Sequence, residues 1–154
     1  MNLLERFHLQ HVQVMRLNAE LIHPRERGVE QQAKIELHLA PRPLKADSGD
    51  ELPGYRVSAR LRCSGGRDPD TGPQFTSEVA VEAVYRQIDG EPVDVAAFAA
   101  NHASLARQLY PLMQAELRTL LLRLGLERLH MPFDLPARVE EAGQPAVEIS
   151  HSVH

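Results

Sequence analysis

The sequence predicts an α+β fold, in which a four-stranded antiparallel sheet is followed by a long, proline-interrupted helix that packs on one face of the sheet. Apolar and polar residues alternate with period two in four segments before Pro92, as in half-buried strands. After Pro92 the apolar residues recur at helical spacings. Segments rich in proline and glycine separate the strand candidates. Residues 1–140 are expected to form a single domain, and residues 141–154 a flexible tail.

The third and fourth strands show the clearest alternation. Residues 55–63 place apolar side chains on one face and three arginines on the other, and residues 75–85 repeat the pattern with glutamates outward. In an antiparallel hairpin that sets Arg60 opposite Glu78, positive charges face negative charges and apolar residues face apolar residues. We therefore predict a register in which paired residue numbers sum to 138.

The other two strand candidates lie earlier in the chain. Residues 35–39 alternate regularly, whereas residues 11–22 carry apolar side chains on both faces, which predicts contacts on both. Strict alternation puts Val12, Val14 and Ile22 on one face of this first strand. It puts the following residues on the other face: Met15, Leu17, Ala19 and Leu21.

The helical segment begins at Asp94, whose side chain can cap the helix. Pro111 lacks the N–H that would bond to Arg107, so a break or kink is expected near Tyr110. Gly125 is a typical end signal. The predicted core stripe comprises Phe98, Leu105, Leu109, Met113, Leu117, Leu120 and Leu124.

A second apolar line runs along the opposite side of this helix. Since one side can pack on the sheet of the same chain, the other needs a different cover, and a second copy of the chain is the simplest source. Cover by the tail or by a loop is the alternative. The predicted oligomer interface comprises Ala115, Thr119, Leu122 and Leu126.

No constellation of residues indicates catalysis, a metal or a cofactor. The chain lacks the common phosphate-binding, nucleophile-elbow and zinc-protease motifs. The single cysteine, Cys63, lies on an apolar strand face, where a packed thiol is expected. Two HxxH pairs, His8/His11 and His151/His154, offer only two nitrogens each.

Charge and hydropathy exclude further classes of function. Residues 1–70 hold eleven Lys/Arg against ten Asp/Glu, and residues 71–154 hold six against eleven, which makes the net charge −4. Nucleic acid binding normally needs a basic footprint. No apolar run reaches the roughly 18 residues that span a membrane, and the N-terminus is not a signal peptide because Glu5 and Arg6 interrupt it. A cytoplasmic protein is expected.

Beyond the predicted core, several apolar side chains on the first strand, after the fourth strand and after the helix need a partner. Such residues can line grooves that bind extended or helical peptides with little specificity. The alternative is that they complete the core.

The order of elements and two local stretches resemble the bacterial export chaperone SecB. Leu109, Tyr110 and Pro111 match the place where a Leu-Phe-Pro begins the main helix of that family, and Pro132-Phe133-Asp134 stand in its following Pro-x-x-Phe-Asp-like segment. The resemblance covers about residues 12–138 and is motif-like over some thirty of them. It implies a homotetramer, arranged as a dimer of dimers, that holds unfolded or precursor polypeptides without ATP.

The resemblance also implies where a peptide would bind and which partners would use the protein. Its groove would be lined by Met15, Leu17, Leu21, Ile88, Phe98, Leu129, Met131 and Phe133. Protein export with the motor ATPase SecA is one implied role. The family docks SecA on an acidic sheet surface, whereas the third strand here presents arginines, so a dedicated client such as an antitoxin is equally compatible. The alternatives are a small hot-dog-like acyl thioesterase or dehydratase, and a structural adaptor subunit.

Overall fold

The computed structural model describes residues 2–24, 33–45, 51–66, 72–126, 129, 131–132, 138–139 and 151–153. Its elements in chain order are α1 (Leu3–Arg6), β1 (Phe7–Leu21), β2 (Ala33–Pro43), β3 (Gly54–Gly65), β4 (Phe75–Gln87), α2 (Val95–Ala99), α3 (His102–Arg123), β5 (Arg138–Val139) and β6 (His151–Val153).

The strands form one sheet in the order β1-β4-β3-β2-β5, and β6 also pairs with β2. The four long strands are antiparallel, and the long helix α3 follows all of them. The predicted α+β architecture is therefore confirmed. The two-residue β5 runs parallel to β2.

The core lies between one face of the sheet and α3, and we call that face the inner face and the opposite one the outer face. On β3 the apolar residues at odd positions from Tyr55 to Cys63 are buried, while Arg56 and Ser58 on the outer face are exposed. The helix contributes a complementary buried stripe. Its buried members are Leu105, Ala106, Leu109, Tyr110, Met113, Leu117 and Leu121.

The predicted register of the β3–β4 hairpin is wrong by two residues. Arg62, not Arg60, lies opposite Glu78, and paired residue numbers sum to 140. A shift of two residues leaves every side chain on its own face, so alternation alone cannot choose between the registers. The observed register also satisfies the charges, because the Nε atom of Arg62 lies 3.3 Å from Oε2 of Glu78.

The helical region is interrupted earlier than predicted. Asp94 caps α2 by accepting a hydrogen bond from the Ala97 N–H at 2.7 Å, as expected, but the break falls at Ala100 and Asn101. Helix α3 then runs continuously through Pro111. A proline in mid-helix costs one hydrogen bond and crowds one turn. Here the packing of the buried stripe holds the helix together across it.

The end of α3 at Gly125 is confirmed. Gly125 has a φ of +79°, and the Leu126 N–H donates to the Leu121 carbonyl at 2.9 Å. These are the marks of a Schellman motif, which turns the chain away from the helix axis. Leu126 consequently folds back into the core and is buried.

The structure also bears on the predicted second loop and on the predicted tail. Strand β2 continues to Pro43, beyond the predicted loop start at Ala40. Prolines are tolerated where the other side of a strand lacks a partner, and no described residue pairs with Pro41 or Pro43 on that side. Of the tail predicted to be flexible, residues 141–150 lie outside the described residues, whereas His151–Val153 form β6.

Candidate functional site

Strand β1 is a long edge strand whose irregularities explain its noisy pattern. Its pairing with β4 shifts register between Leu9 and His11 and again between Val14 and Arg16. Each shift is a β-bulge that inserts one residue, and a bulge reverses the alternation of faces. Val14 therefore lies opposite Val81 on the inner face, the same face as Leu17, which lies opposite Val79. The predicted division of the first strand into two apolar faces is wrong for this reason.

This part of the inner face extends beyond the cover of α3. Leu17 and Leu21 are 47% and 38% exposed, and Met15, which sits in the second bulge, is 55% exposed. Val14 on the same face is also exposed, as is Ile22, which directly follows the strand. No described residue pairs with the free edge of β1. An exposed apolar edge strand of this length is a surface on which another chain can pair. We call these five residues the β1 apolar surface.

Ile88, which was also predicted to line the peptide groove, lies in the crossover from β4 to α2, away from the β1 apolar surface. Ile88 is 58% exposed and follows Gln87, which pairs with Phe7 at the start of β1. Leu17 lies ten residues further along that strand, or about 33 Å at the usual rise. The structure therefore does not bring Ile88 and the β1 apolar surface into one compact cluster.

Gln87 organises this crossover from within the core. Its side-chain amide donates to the carbonyls of Asp89 and Glu91 at 2.9 and 2.7 Å, and its Oε1 accepts from the Val93 N–H at 2.9 Å. Arg6 adds a hydrogen bond from Nη2 to the Glu91 carbonyl at 2.6 Å. The exposed loop is thus held by buried polar contacts, a role that sequence periodicity does not reveal.

Replacing Gln87 by alanine should lower the free energy of unfolding by about 2 kcal/mol, because the buried Val93 N–H loses its acceptor and the Asp89 and Glu91 carbonyls keep only their hydrogen bonds from Arg6. Urea titration measures this loss, and hydrogen exchange at Val93 should accelerate. Gln74→Ala is the matched control, since the side chain of Gln74 donates an exposed hydrogen bond to the Pro24 carbonyl and its backbone bonds stay in place. Equal losses in the two variants would contradict this role.

Two hollows flank the crossover and share Pro92, Val93 and Asp94. One, of about 410 Å³, is also lined by Arg6, Glu91, Ala97, Ala100 and Asn101. The second, of about 340 Å³, opens toward Leu44 and Leu52 before β3.

Phe98 lies in the core rather than on a surface. It is 0% exposed, stacks on Tyr55 with 4.3 Å between ring centroids, and packs against Phe7 and Tyr85. The Tyr55 hydroxyl in turn donates to the Val93 carbonyl. Burial of the phenol, together with the charge of Asp94, raises the pKa of Tyr55. The sequence-based inclusion of Phe98 in a groove is therefore not supported by its position.

Only part of the stretch predicted to contact peptides after the helix lies within the described residues. Leu129 and Met131 are half-buried and pack against the core, and Phe133 lies outside the described residues. The Tyr110 hydroxyl donates to the Pro132 carbonyl at 2.6 Å. This bond joins the two stretches on which the SecB resemblance was based.

The second apolar line of α3 is exposed, as its spacing indicated, except that Leu126 is buried and Leu112 belongs to the line. Ala115, Thr119 and Leu122 are exposed, whereas Leu126 is buried by the turn at Gly125. Leu112, three residues before Ala115, extends the line and was not among the predicted interface residues. Leu112 and Leu122 are 49% and 48% exposed. We call Leu112, Ala115, Thr119 and Leu122 the helix flank.

Chemistry-bearing groups are sparse in the part of the chain that the structure describes. Burial raises the pKa of the Cys63 thiol to about 12, so the thiol is protonated at neutral pH. Burial likewise raises the pKa of Tyr85, whose hydroxyl donates to Gln108 at 2.9 Å. Within the described ranges no three His, Cys, Asp or Glu side chains are grouped for a metal ion.

No helix among the described residues has the length and apolarity needed to cross a membrane.

The geometry defines the class of fold. Four antiparallel strands in the order β1-β4-β3-β2, followed by a long helix that packs on the inner face, are a SecB-like fold. Comparison with solved structures confirms the predicted resemblance at this level.

The solved structure in question is the SecB-like chaperone Rv1957 of Mycobacterium tuberculosis, in complex with a ChAD peptide from the antitoxin Rv1956 HigA1. The TM-score is 0.65, at 17% sequence identity, over 84% of this chain and 92% of that one. No protein-family model and no curated protein sequence matches the chain. The likeness is therefore one of fold.

Proposed function

We propose that this protein is a cytoplasmic chaperone that holds non-native polypeptides without ATP. The observation that carries the proposal is the β1 apolar surface, where half-exposed side chains border a strand edge that no described residue pairs. An extended polypeptide can add to such an edge through main-chain hydrogen bonds while its apolar side chains contact Met15, Leu17 and Leu21. Methionine and leucine side chains adapt to varied partners, which suits clients of differing sequence.

The SecB-like neighbour supports the proposal that this protein binds polypeptides, since that neighbour was solved in complex with an antitoxin peptide. A client such as an antitoxin or an export precursor is compatible with the surface described here. Docking to SecA has less support, because the outer face of β3 carries Arg56, Arg60 and Arg62.

Suppression of aggregation tests this proposal. A guanidinium-denatured enzyme is diluted into buffer with or without the purified chaperone, and light scattering is followed in the absence of nucleotide. The scattering should fall in proportion to the chaperone added, and addition of ATP should not release the client. Unchanged scattering at a molar excess of chaperone would contradict the proposal and leave the adaptor alternative, in which only one fixed partner binds.

The proposed assembly is a homo-oligomer, a tetramer in its full form, that buries the helix flank. Leu112 and Leu122 stand on the side of α3 opposite the core stripe of Met113, Leu117 and Leu121. Exposed leucines along one line of a helix lose contact with water when a second copy covers them.

Substituting Leu112 and Leu122 by glutamate should therefore dissociate the assembly, because each copy would have to bury two charges at the interface. Analytical ultracentrifugation should show a shift from an oligomer to the 17.3 kDa chain, with an unchanged circular dichroism spectrum. Ala103→Glu, at an exposed position of the same helix away from the flank, is the control. A wild-type protein that sediments as a monomer would overturn this assembly.

A further inference from the structure

The outer face of the sheet carries charged side chains of two kinds. In the first kind each cation has a carboxylate partner. Arg62 and Arg16 share Glu78 at 3.3 and 3.9 Å, and Lys34 lies 2.9 Å from Glu36. Pairs of this kind are ordinary for a solvated sheet face.

The second kind consists of Arg42, Arg56 and Arg60, which we call the arginine patch. The β2–β3 register sets Arg42 directly opposite Arg56, and it sets Arg60 opposite His38. No carboxylate of the described residues lies within 4.0 Å of these three guanidinium groups. Glu82 is the neighbouring acid on β4, opposite Ser58, and it makes no such ion pair with them. Like charges directly opposite each other on adjacent strands destabilise a sheet.

The patch has the geometry of a carboxylate-binding surface. Neighbouring strands lie about 4.8 Å apart, and four residues along a strand span about 13 Å. Arg42 and Arg56 are thus close enough to hold one carboxylate between them, while Arg60 reaches a second one further along. A guanidinium group binds a carboxylate with two parallel hydrogen bonds. An extended segment with acidic residues at every second position presents carboxylates at matching intervals.

We infer that the arginine patch docks an acidic polypeptide segment of a partner protein. The net charge of −4 disfavours a long polyanion such as nucleic acid, whereas a short acidic segment contacts only the patch. The site lies on the outer face of β2 and β3, and it is distinct from the apolar surface at the β1 edge. It does not depend on the chaperone proposal.

Fluorescence anisotropy with a defined probe tests the inference. The probe is a labelled decapeptide with glutamate at every second position and serine between. At low ionic strength the wild-type protein should bind it, and R56Q/R60Q should bind at least ~10-fold more weakly, since two charge-assisted contacts are lost. R16Q/R107Q, which removes the same charge at two exposed arginines elsewhere, should stay within ~2-fold of wild type.

Four results would overturn the inference. The first is an absence of binding, and the second is equal weakening in both double variants. The third is tighter binding of a ten-nucleotide single-stranded thymidine oligomer than of the peptide, which would assign the patch to nucleic acid. The fourth is tighter binding by E140Q/E141Q than by wild type, which would assign the patch to the carboxylates that follow β5 in the chain's own sequence. Suppression of aggregation by R56Q/R60Q, measured in parallel, reports on the apolar surface separately.

Discussion

Replacing Phe98 by alanine is expected to lower the free energy of unfolding by about 3–5 kcal/mol, measured by urea titration. The side chain is fully buried at the centre of an aromatic cluster with Phe7, Tyr55 and Tyr85. Its removal leaves a cavity bounded by three rings that belong to three different strands, which restricts how far the site can collapse. Since domains are stable by only about 5–15 kcal/mol, the variant should lose a large part of its stability.

Phe98→Leu is the matched control, and it should cost about half as much because most of the cavity stays filled. The pair also separates two roles. A core residue alters stability in both variants, whereas a residue that contacts clients alters affinity with little effect on folding. A loss of less than about 1 kcal/mol for Phe98→Ala, together with weaker client binding, would restore Phe98 to the binding surface.

The second large effect is expected at the edge strand. Substituting Met15, Leu17 and Leu21 together by threonine keeps a good strand former at each position but removes most of the apolar side chain. We expect the affinity for an unfolded client to fall by about 2 kcal/mol, or roughly 30-fold, because apolar contact area is lost. The free energy of unfolding should change by less than about 1 kcal/mol, since the three side chains are already 38–55% exposed and lie outside the core.

A matched triple variant lies on the outer face of the same strand. Gln13, Asn18 and Glu20 pair with outer-face residues of β4, so threonine at these positions leaves the apolar surface intact. Client affinity should remain within ~2-fold of wild type. Equal losses in the two triple variants would show that β1 acts through its backbone or its assembly and not through these apolar side chains.

Much of the fold follows from local sequence patterns because those patterns reflect burial directly. The alternation in β3 and the stripe of α3 each record which side of an element is dry, and Gly125 marks an end that needs a positive φ. The registers of paired strands are harder to predict from such patterns. A hairpin shifted by two residues satisfies the same alternation, so the choice between Arg60 and Arg62 as partner of Glu78 depends on packing along the whole strand.

The candidate site is harder to predict than the fold, since it depends on where elements stop. One bulge at Met15 moves Val14 to the inner face, and one turn at Gly125 removes Leu126 from the helix flank. Phe98 was included by regional likeness to a family, although its burial depends on contacts with distant strands. The arginine patch arises only when the β2–β3 register is known, because Arg42 and Arg56 are far apart in sequence.

The central claim is that the exposed apolar surface of this fold binds polypeptides that lack their native structure. Its most direct measurement is an anisotropy titration of one labelled protein in two forms, native and permanently unfolded by reduction and alkylation of its disulfides, without nucleotide. The unfolded form should bind saturably with a Kd in the micromolar range or below, and the native form should not bind. Failure of the unfolded form to bind at up to about 100 μM protein, or equal binding of both forms, would contradict the claim.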